Sequence, residues 1–218
     1  TKAIEIDPNN ARAYYNRGVA KDDMGDTSGG IADWTKVIEI DPDNAPAYYN
    51  RGVAKNEMDD TSGAIADYTN AIKIDPDNAP AYRNRGIAKD DMGDTSGAIA
   101  DYTNAIKIDP SNTATYYNRG VAKDDMDDTS GAIADYTEAI KIDPNNAHAY
   151  CNRGNVKDKI GDTSGAIADY TKAIEIDPND AAAYYNRGNA KFEMCDTSGA
   201  IADYTKAIEI DPSNTGAY

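Results

Sequence analysis

Between residues 61 and 74 the chain reads TSGAIADYTNAIKI, with apolar side chains at Ala64, Ile65, Tyr68, Ala71, Ile72 and Ile74. Steps of three and four place all of them on one face of a helix, so the stretch predicts an amphipathic helix B. A more polar stretch, APAYYNRGVAKNEM, precedes it over residues 45–58, where Ala47, Tyr48, Gly52, Ala54 and Met58 offer the apolar positions of a helix A. The two stretches alternate along the whole chain. Pro8, Pro42, Pro76, Pro110, Pro144, Pro178 and Pro212 mark the end of each helix B at a constant spacing of 34 residues. A period of that length marks an array of stacked units, each unable to bury its apolar face alone. The units run 9–42, 43–76, 77–110, 111–144, 145–178 and 179–212, with the end of a preceding unit at 1–8 and the start of a following one at 213–218.

Local signals agree with the period. Numbering each unit so that Ala11 is position 1, an Asn or Asp stands just ahead of helix A (Asn10, Asn44, Asn78, Asn112, Asn146, Asp180) and an Asp at position 16 just ahead of helix B (Asp26, Asp60, Asp94, Asp128, Asp162, Asp196). Both residue types cap helices by accepting a hydrogen bond from an unpaired backbone N–H. Pro46 and Pro80 fall in the first turn of helix A, where the missing N–H is harmless. Position 8 is always glycine (Gly18, Gly52, Gly86, Gly120, Gly154, Gly188). Mid-helix glycine costs about 1 kcal/mol against alanine, so its recurrence predicts close approach between paired helices.

Tyr at position 4, Gly at 8, Ala at 20, an aromatic at 24, Ala at 27 and Pro at 32 resemble the tetratricopeptide repeat, in the variant reading NRG in helix A and AIADYTKAI in helix B. The resemblance covers essentially the whole chain. It implies an all-α, right-handed superhelical solenoid of antiparallel helix pairs, with A helices lining a concave groove, and a non-catalytic scaffold that binds protein partners. Two positions depart from the common pattern. Position 7, commonly leucine, is arginine (Arg17, Arg51, Arg85, Arg119, Arg153, Arg187), and position 11, commonly tyrosine, is lysine (Lys21, Lys55, Lys89, Lys123, Lys157, Lys191). Asp33, Asp67, Asp101, Asp135, Asp169 and Asp203 at position 23 are their candidate ion-pair partners. A ladder for phosphate or acidic ligands is the alternative.

Composition narrows the partners. A formal charge of −16 and a pI near 4.3 oppose a nucleic-acid backbone or an anionic membrane surface. No apolar run approaches the ~18 residues of a membrane span. Cys151 and Cys195 occupy different unit positions and read as free thiols, which fits a cytoplasmic setting.

Little of the sequence fits catalysis or a cofactor. DTSG shares letters with the DTG of aspartic proteases, but it recurs six times at helix starts, whereas that chemistry needs two aspartates sharing a proton. His148 is the only histidine, so neither a zinc site nor a Ser-His-Asp relay can be assembled. Asp22, Asp23 and Asp26, and Asp124, Asp125, Asp127 and Asp128, lack the alternating spacing and glycine of a calcium loop. No metal, cofactor or catalytic residue is expected.

The stronger signal lies at positions 5 and 6. Position 6 is asparagine throughout: Asn16, Asn50, Asn84, Asn118, Asn152 and Asn186. An amide both donates and accepts, so such a row can grip the backbone of an extended peptide, and it can equally fix repeat spacing. The row resembles the asparagine ladder in the repeat domain of the O-linked N-acetylglucosamine transferases. Position 5 adds Tyr15, Tyr49, Tyr117 and Tyr185 as stiff anchors, with Arg83 and Cys151 in the other two units. Positions 12 and 13 add acidity, including Asp90, Asp91, Asp124 and Asp125. The groove positions together carry nine acidic and three basic residues. The family's chaperone-type clamp for acidic tails uses lysines at 2 and 5, arginine at 6 and asparagine at 9. Only Asn155 and Asn189 match it.

The sequence therefore reads as a scaffold for an extended, basic or neutral peptide. Two alternatives stand beside it. One is a structural array associating head to tail through the uncapped half-units at Ala3, Ile4 and Ile6 and at Ala217 and Tyr218. The other is the substrate-recruiting part of a larger enzyme.

Overall fold

The structure is a computed structural model that describes residues 2–212. The final SNTGAY stretch, with Ala217 and Tyr218, lies outside the described residues. Among those described there are thirteen α-helices and no strand. Two compact units divide the chain, Thr1–Pro110 and Ser111–Tyr218.

Unit 1 holds α1 (Lys2–Ile6), α2 (Ala11–Asp23), α3 (Thr27–Ile40), α4 (Ala45–Glu57), α5 (Thr61–Ile74), α6 (Ala79–Asp91) and α7 (Thr95–Ile108). Unit 2 holds α8 (Thr113–Asp125), α9 (Thr129–Ile142), α10 (Ala147–Lys159), α11 (Thr163–Ile176), α12 (Ala181–Glu193) and α13 (Thr197–Ile210). Within each unit successive helices pack as pairs, α2 on α3 and α4 on α5, and each pair packs on the next. The short α1 buries none of its residues, and Ala3 and Ile6 on it are exposed.

Helix ends follow the local chemistry. Asn10 Oδ1 accepts from Ala13 N–H at 2.9 Å, and Asp26 Oδ1 accepts from Gly29 N–H at 3.0 Å, a scheme that recurs through Asp180 and Asp196. The residue after the C-cap of each helix A has positive φ. Glycine takes that place at Gly25, Gly93 and Gly161, while Asp59, Asp127 and Cys195 adopt φ of 62°, 60° and 64° without glycine's freedom. The methionines at position 14 do not join the apolar face. They are C-caps, with Met24 86 % exposed, and Met58 and Met194 rest against the hydroxyls of Ser28 and Ser164 in the preceding pair.

The core is built from small residues and one aromatic ring per pair. Ala47, Ala54, Ala64 and Ala71 are fully buried, and Tyr68, Tyr102, Tyr136 and Tyr170 are at most 2 % exposed. Each ring lies on the glycine of its partner helix. A Cβ on Gly120 would stand 2.8 Å from Tyr136 Cε1, and one on Gly86 would stand 2.7 Å from Tyr102 Cε1. The close approach is thus of a ring onto a backbone, and a larger residue would have to evict the ring. The first pair solves the same packing differently. Trp34 replaces the tyrosine, and Gly30 replaces the alanine at position 20, where a Cβ would meet Trp34 Cζ3 at 3.1 Å.

Candidate functional site

A polar clasp fixes how each A helix presents its face. Arg51 Nε and Nη2 donate to Asp67 Oδ2 and Oδ1 at 2.9 and 2.7 Å, and Lys55 Nζ lies 2.8 Å from Oδ2. The arrangement repeats at Arg17, Arg85, Arg119, Arg153 and Arg187 on Asp33, Asp101, Asp135, Asp169 and Asp203, whose residues are only 3–4 % exposed. Burial pushes the Asp33 and Asp203 carboxyls up, but hydrogen bonds from Arg17 and Lys21, and from Arg187 and Lys191, outweigh it, so both sit below the usual range. A remaining guanidinium nitrogen reaches back one pair: Arg51 Nη1 donates to Thr35 Oγ1 at 3.1 Å and Arg187 Nη1 to Thr171 Oγ1 at 3.2 Å. Each guanidinium also lies over the tyrosine three residues before it, at 5.6 Å for Arg51 on Tyr48. These arginines are spent on structure: a bidentate carboxylate, a hydroxyl and a ring face leave little for an outside anion.

The clasp sets the register of the A-helix face, where positions 5 and 6 meet. Asn50 Nδ2 donates to Tyr15 Oη at 2.9 Å, Asn84 Nδ2 to Tyr49 Oη at 3.2 Å, and Asn152 Nδ2 to Tyr117 Oη at 2.9 Å. The residues predicted separately as backbone grips and as anchors are therefore partners across adjacent helix pairs. The hydrogen bond uses one donor of each amide, whose capacity is two donors and two acceptor sites. Tyr49 and Tyr117 also pack at 6.0 and 5.9 Å against the buried rings of Tyr68 and Tyr136. Burial drives the Tyr68 and Tyr136 hydroxyls upward, with Asn84 and Asn152 opposing it, so both rings stay neutral.

The remaining predicted residues occupy less uniform surroundings. Asn16 is exposed, Asn118 is half-buried, and Tyr185 packs on Tyr204 at 5.9 Å. Asp90 and Asp124 are half-buried beside Tyr102 and Tyr136, whereas Asp91 and Asp125 face solvent. Asp124 is shared with Lys159, whose ammonium lies 3.4 Å from Asp124 and 2.7 Å from Asp127.

The face changes at α10. Cys151 stands in the tyrosine row, 8 % exposed, and burial followed by the nearby Asp180 charge pushes its thiol up to about 11, so it is inert. Asn186 Nδ2, without a tyrosine hydroxyl to meet, donates instead to Asn155 Oδ1 at 3.0 Å, which also accepts from Tyr170 Oη at 2.9 Å. The sequence places Asn155 and Asn189 at position 9, a variable groove position that the chaperone clamp also uses, and gives them no partner within the chain. Their role as acceptors for the buried Tyr170 and the half-buried Tyr204 was signalled by polar residues replacing valine opposite a tyrosine.

Among the described residues no group of three His, Cys, Asp or Glu side chains is placed to hold a metal ion, and no helix is long and apolar enough to cross a membrane.

Comparison with known proteins agrees with this architecture. Family models described as TPR repeat match residues 91–124, 125–161 and 159–194, and models described as tetratricopeptide repeat match 45–78 and 181–214, with a further one at 1–31. No curated protein matches the sequence. Among solved structures, MamA is 30% identical with a TM-score of 0.72, covering 74% of this chain and 94% of its own. YrrB, described as a TPR protein with an unusual peptide-binding site, is 23% identical with a TM-score of 0.75, covering 84% of this chain and 95% of its own. The C-terminal part of a TPR repeat-containing protein from Cytophaga hutchinsonii is 19% identical with a TM-score of 0.83, covering 99% and 90%. Helix pairs, ring-on-glycine packing and these matches lead to one conclusion: the chain belongs to the tetratricopeptide repeat family, whose members characteristically serve as non-catalytic protein-interaction scaffolds.

Proposed function

We propose that the A-helix face binds an extended peptide of basic or neutral character, within repeat units that begin after Pro8 and recur to Pro212. The observation that carries the reading is the same in each unit: Asn50 and Asn84 in unit 1 and Asn152 in unit 2 are each held by a tyrosine hydroxyl yet keep hydrogen-bonding capacity. Preorganised amides lose little side-chain entropy on meeting a peptide backbone. The acidic residues at Asp90, Asp91, Asp124 and Asp125 favour cationic segments and disfavour acidic ones. YrrB, similar in fold, has a peptide-binding site of its own, which lends the reading support.

Anisotropy with a fluorescein-labelled, lysine-containing peptide tests it. Replacing Asn84, Asn118 and Asn152 together by alanine is expected to weaken binding by about 10-fold or more, at about 1 kcal/mol per lost hydrogen bond, with an unchanged helical circular-dichroism signal. Replacing Tyr49 and Tyr117 by phenylalanine removes the same inter-pair hydrogen bonds and leaves the amides present, so it is expected to cost much less. Equal binding by the asparagine variant and the parent would contradict the proposal, as would affinity indifferent to salt.

A further inference from the structure

Pockets recur on this face where the loop after one helix pair meets the next A helix, and they differ in one instructive way. A pocket of ≈ 420 Å³ in unit 1 has Tyr15, Asp41 and Asn44 in its wall, and one of ≈ 290 Å³ in unit 2 has Tyr117, Asp143 and Asn146 at the same positions of their repeats. The corresponding place between α10 and α12 belongs to a longer pocket of ≈ 620 Å³, whose lining runs on to Ile210 and Asp211 at the end of α13. There Cys151 replaces the tyrosine, Asp180 replaces the asparagine cap, and Asn155 stands where Val19 and Val121 stand in the first and fourth repeats.

The three changes act together. The first removes a phenol and opens the pocket. The second adds a negative charge, felt at Cys151, while keeping the capping hydrogen bond from Ala183 N–H at 3.1 Å. The third makes the wall polar, with Asn155 pinned by Tyr170 and Asn186. Asp177 and Asp180 each spend Oδ1 on a backbone N–H, and no described residue bonds the Oδ2 of either. A cavity with the carboxylates of Asp177, Asp180 and Asp211 in its lining, and no lysine or arginine there among the described residues, is complementary to a long cationic side chain.

Resting on the peptide reading above, we infer that this pocket receives an arginine side chain of the bound peptide and so fixes its register on the array. The guanidinium is planar and carries five N–H donors, so it can bridge Asp177 and Asp180 while its stem fills the space left by the absent phenol. A tyrosine side chain offers one O–H donor and no charge, so it answers at most one carboxylate and neutralises neither. In the pockets at Tyr15 and Tyr117 the phenol already occupies the place, so those sites do not select arginine.

The test uses three fluorescein-labelled peptides of one Gly/Ser/Ala sequence, identical except for arginine, citrulline or tyrosine at the central position, with anisotropy measured on the full chain. Citrulline keeps the shape of arginine and loses its charge. Arginine is expected to bind about 10-fold tighter than citrulline or tyrosine. The preference is expected to collapse to within about 2-fold in C151Y, which restores the phenol, and in D180N, which keeps a capping residue used elsewhere in the chain. Thermal melts of both variants confirm that they fold. Equal binding of arginine and citrulline, a preference for tyrosine, or an arginine preference that survives both substitutions would overturn the pocket while leaving the groove intact. Failure of all three peptides to bind would overturn the groove reading and this inference with it.

Discussion

The inside of each helix pair and the outer face of its A helix come from the same repeating sequence, yet the copies agree inside and, at position 5 beside the constant asparagines, diverge on the face. Inside, a guanidinium meets a buried aspartate at 2.6–2.7 Å in every pair, and a ring lies on a glycine in every pair. Outside, the row at position 5 runs Tyr15, Tyr49, Arg83, Tyr117, Cys151, Tyr185. Internal positions are fixed by their partners: even the exception, Trp34, comes with Gly30 to make room for it. Position 5 accommodates a tyrosine bonded to the next asparagine, an arginine and a buried cysteine, so its differences are where specificity can be written.

The sharpest way to break this contrast is to strike the clasp. Asp101→Ala leaves Arg85 and Lys89 beside a buried gap and is expected to cost about 3–5 kcal/mol in chemical denaturation. Gly120→Leu drives a side chain into the Tyr136 ring and is expected to cost about 3 kcal/mol, read as a lower melting temperature. A melt no lower than the parent's would remove the ring-on-glycine argument. Acid comes next. The folded carboxyls of Asp33 and Asp203 are depressed, so their contribution is present above the ordinary aspartate range near ~4 and fades as pH falls through the lower folded values. Asp33→Asn is expected to flatten the stability profile below about pH 4 relative to the parent. The smallest effect belongs to the face: Asp91→Ala, at an exposed position, is expected to change stability by less than about 0.5 kcal/mol. A loss of several kcal/mol there would erase the distinction between interior and face.

Much of the interior was legible in the sequence. Helix spans, caps and the Arg–Asp–Lys clasp follow from spacing within one unit, because residues 16 apart on two antiparallel helices are brought together by a short turn. The exposed methionines were misjudged, since position 14 lies past the last helical turn and its residue is a cap rather than a core side chain. The pairing of Asn50 with Tyr15 was hidden for another reason. It joins residues 35 apart and depends on the offset between stacked pairs, which the repeat period alone does not specify. The enlarged pocket at Cys151 was hidden likewise: three substitutions at residues 151, 155 and 180 converge only when α10 and α12 are side by side.

The most direct test of the account is a nuclear magnetic resonance titration of the ¹⁵N-labelled chain with a lysine- and arginine-containing peptide. The account predicts shifts in the side-chain amide signals of Asn50, Asn84 and Asn152, with the backbone amides of α5, α7 and α11 largely unmoved. Perturbations concentrated on α5, α7 and α11, with the asparagine amides silent, would contradict it.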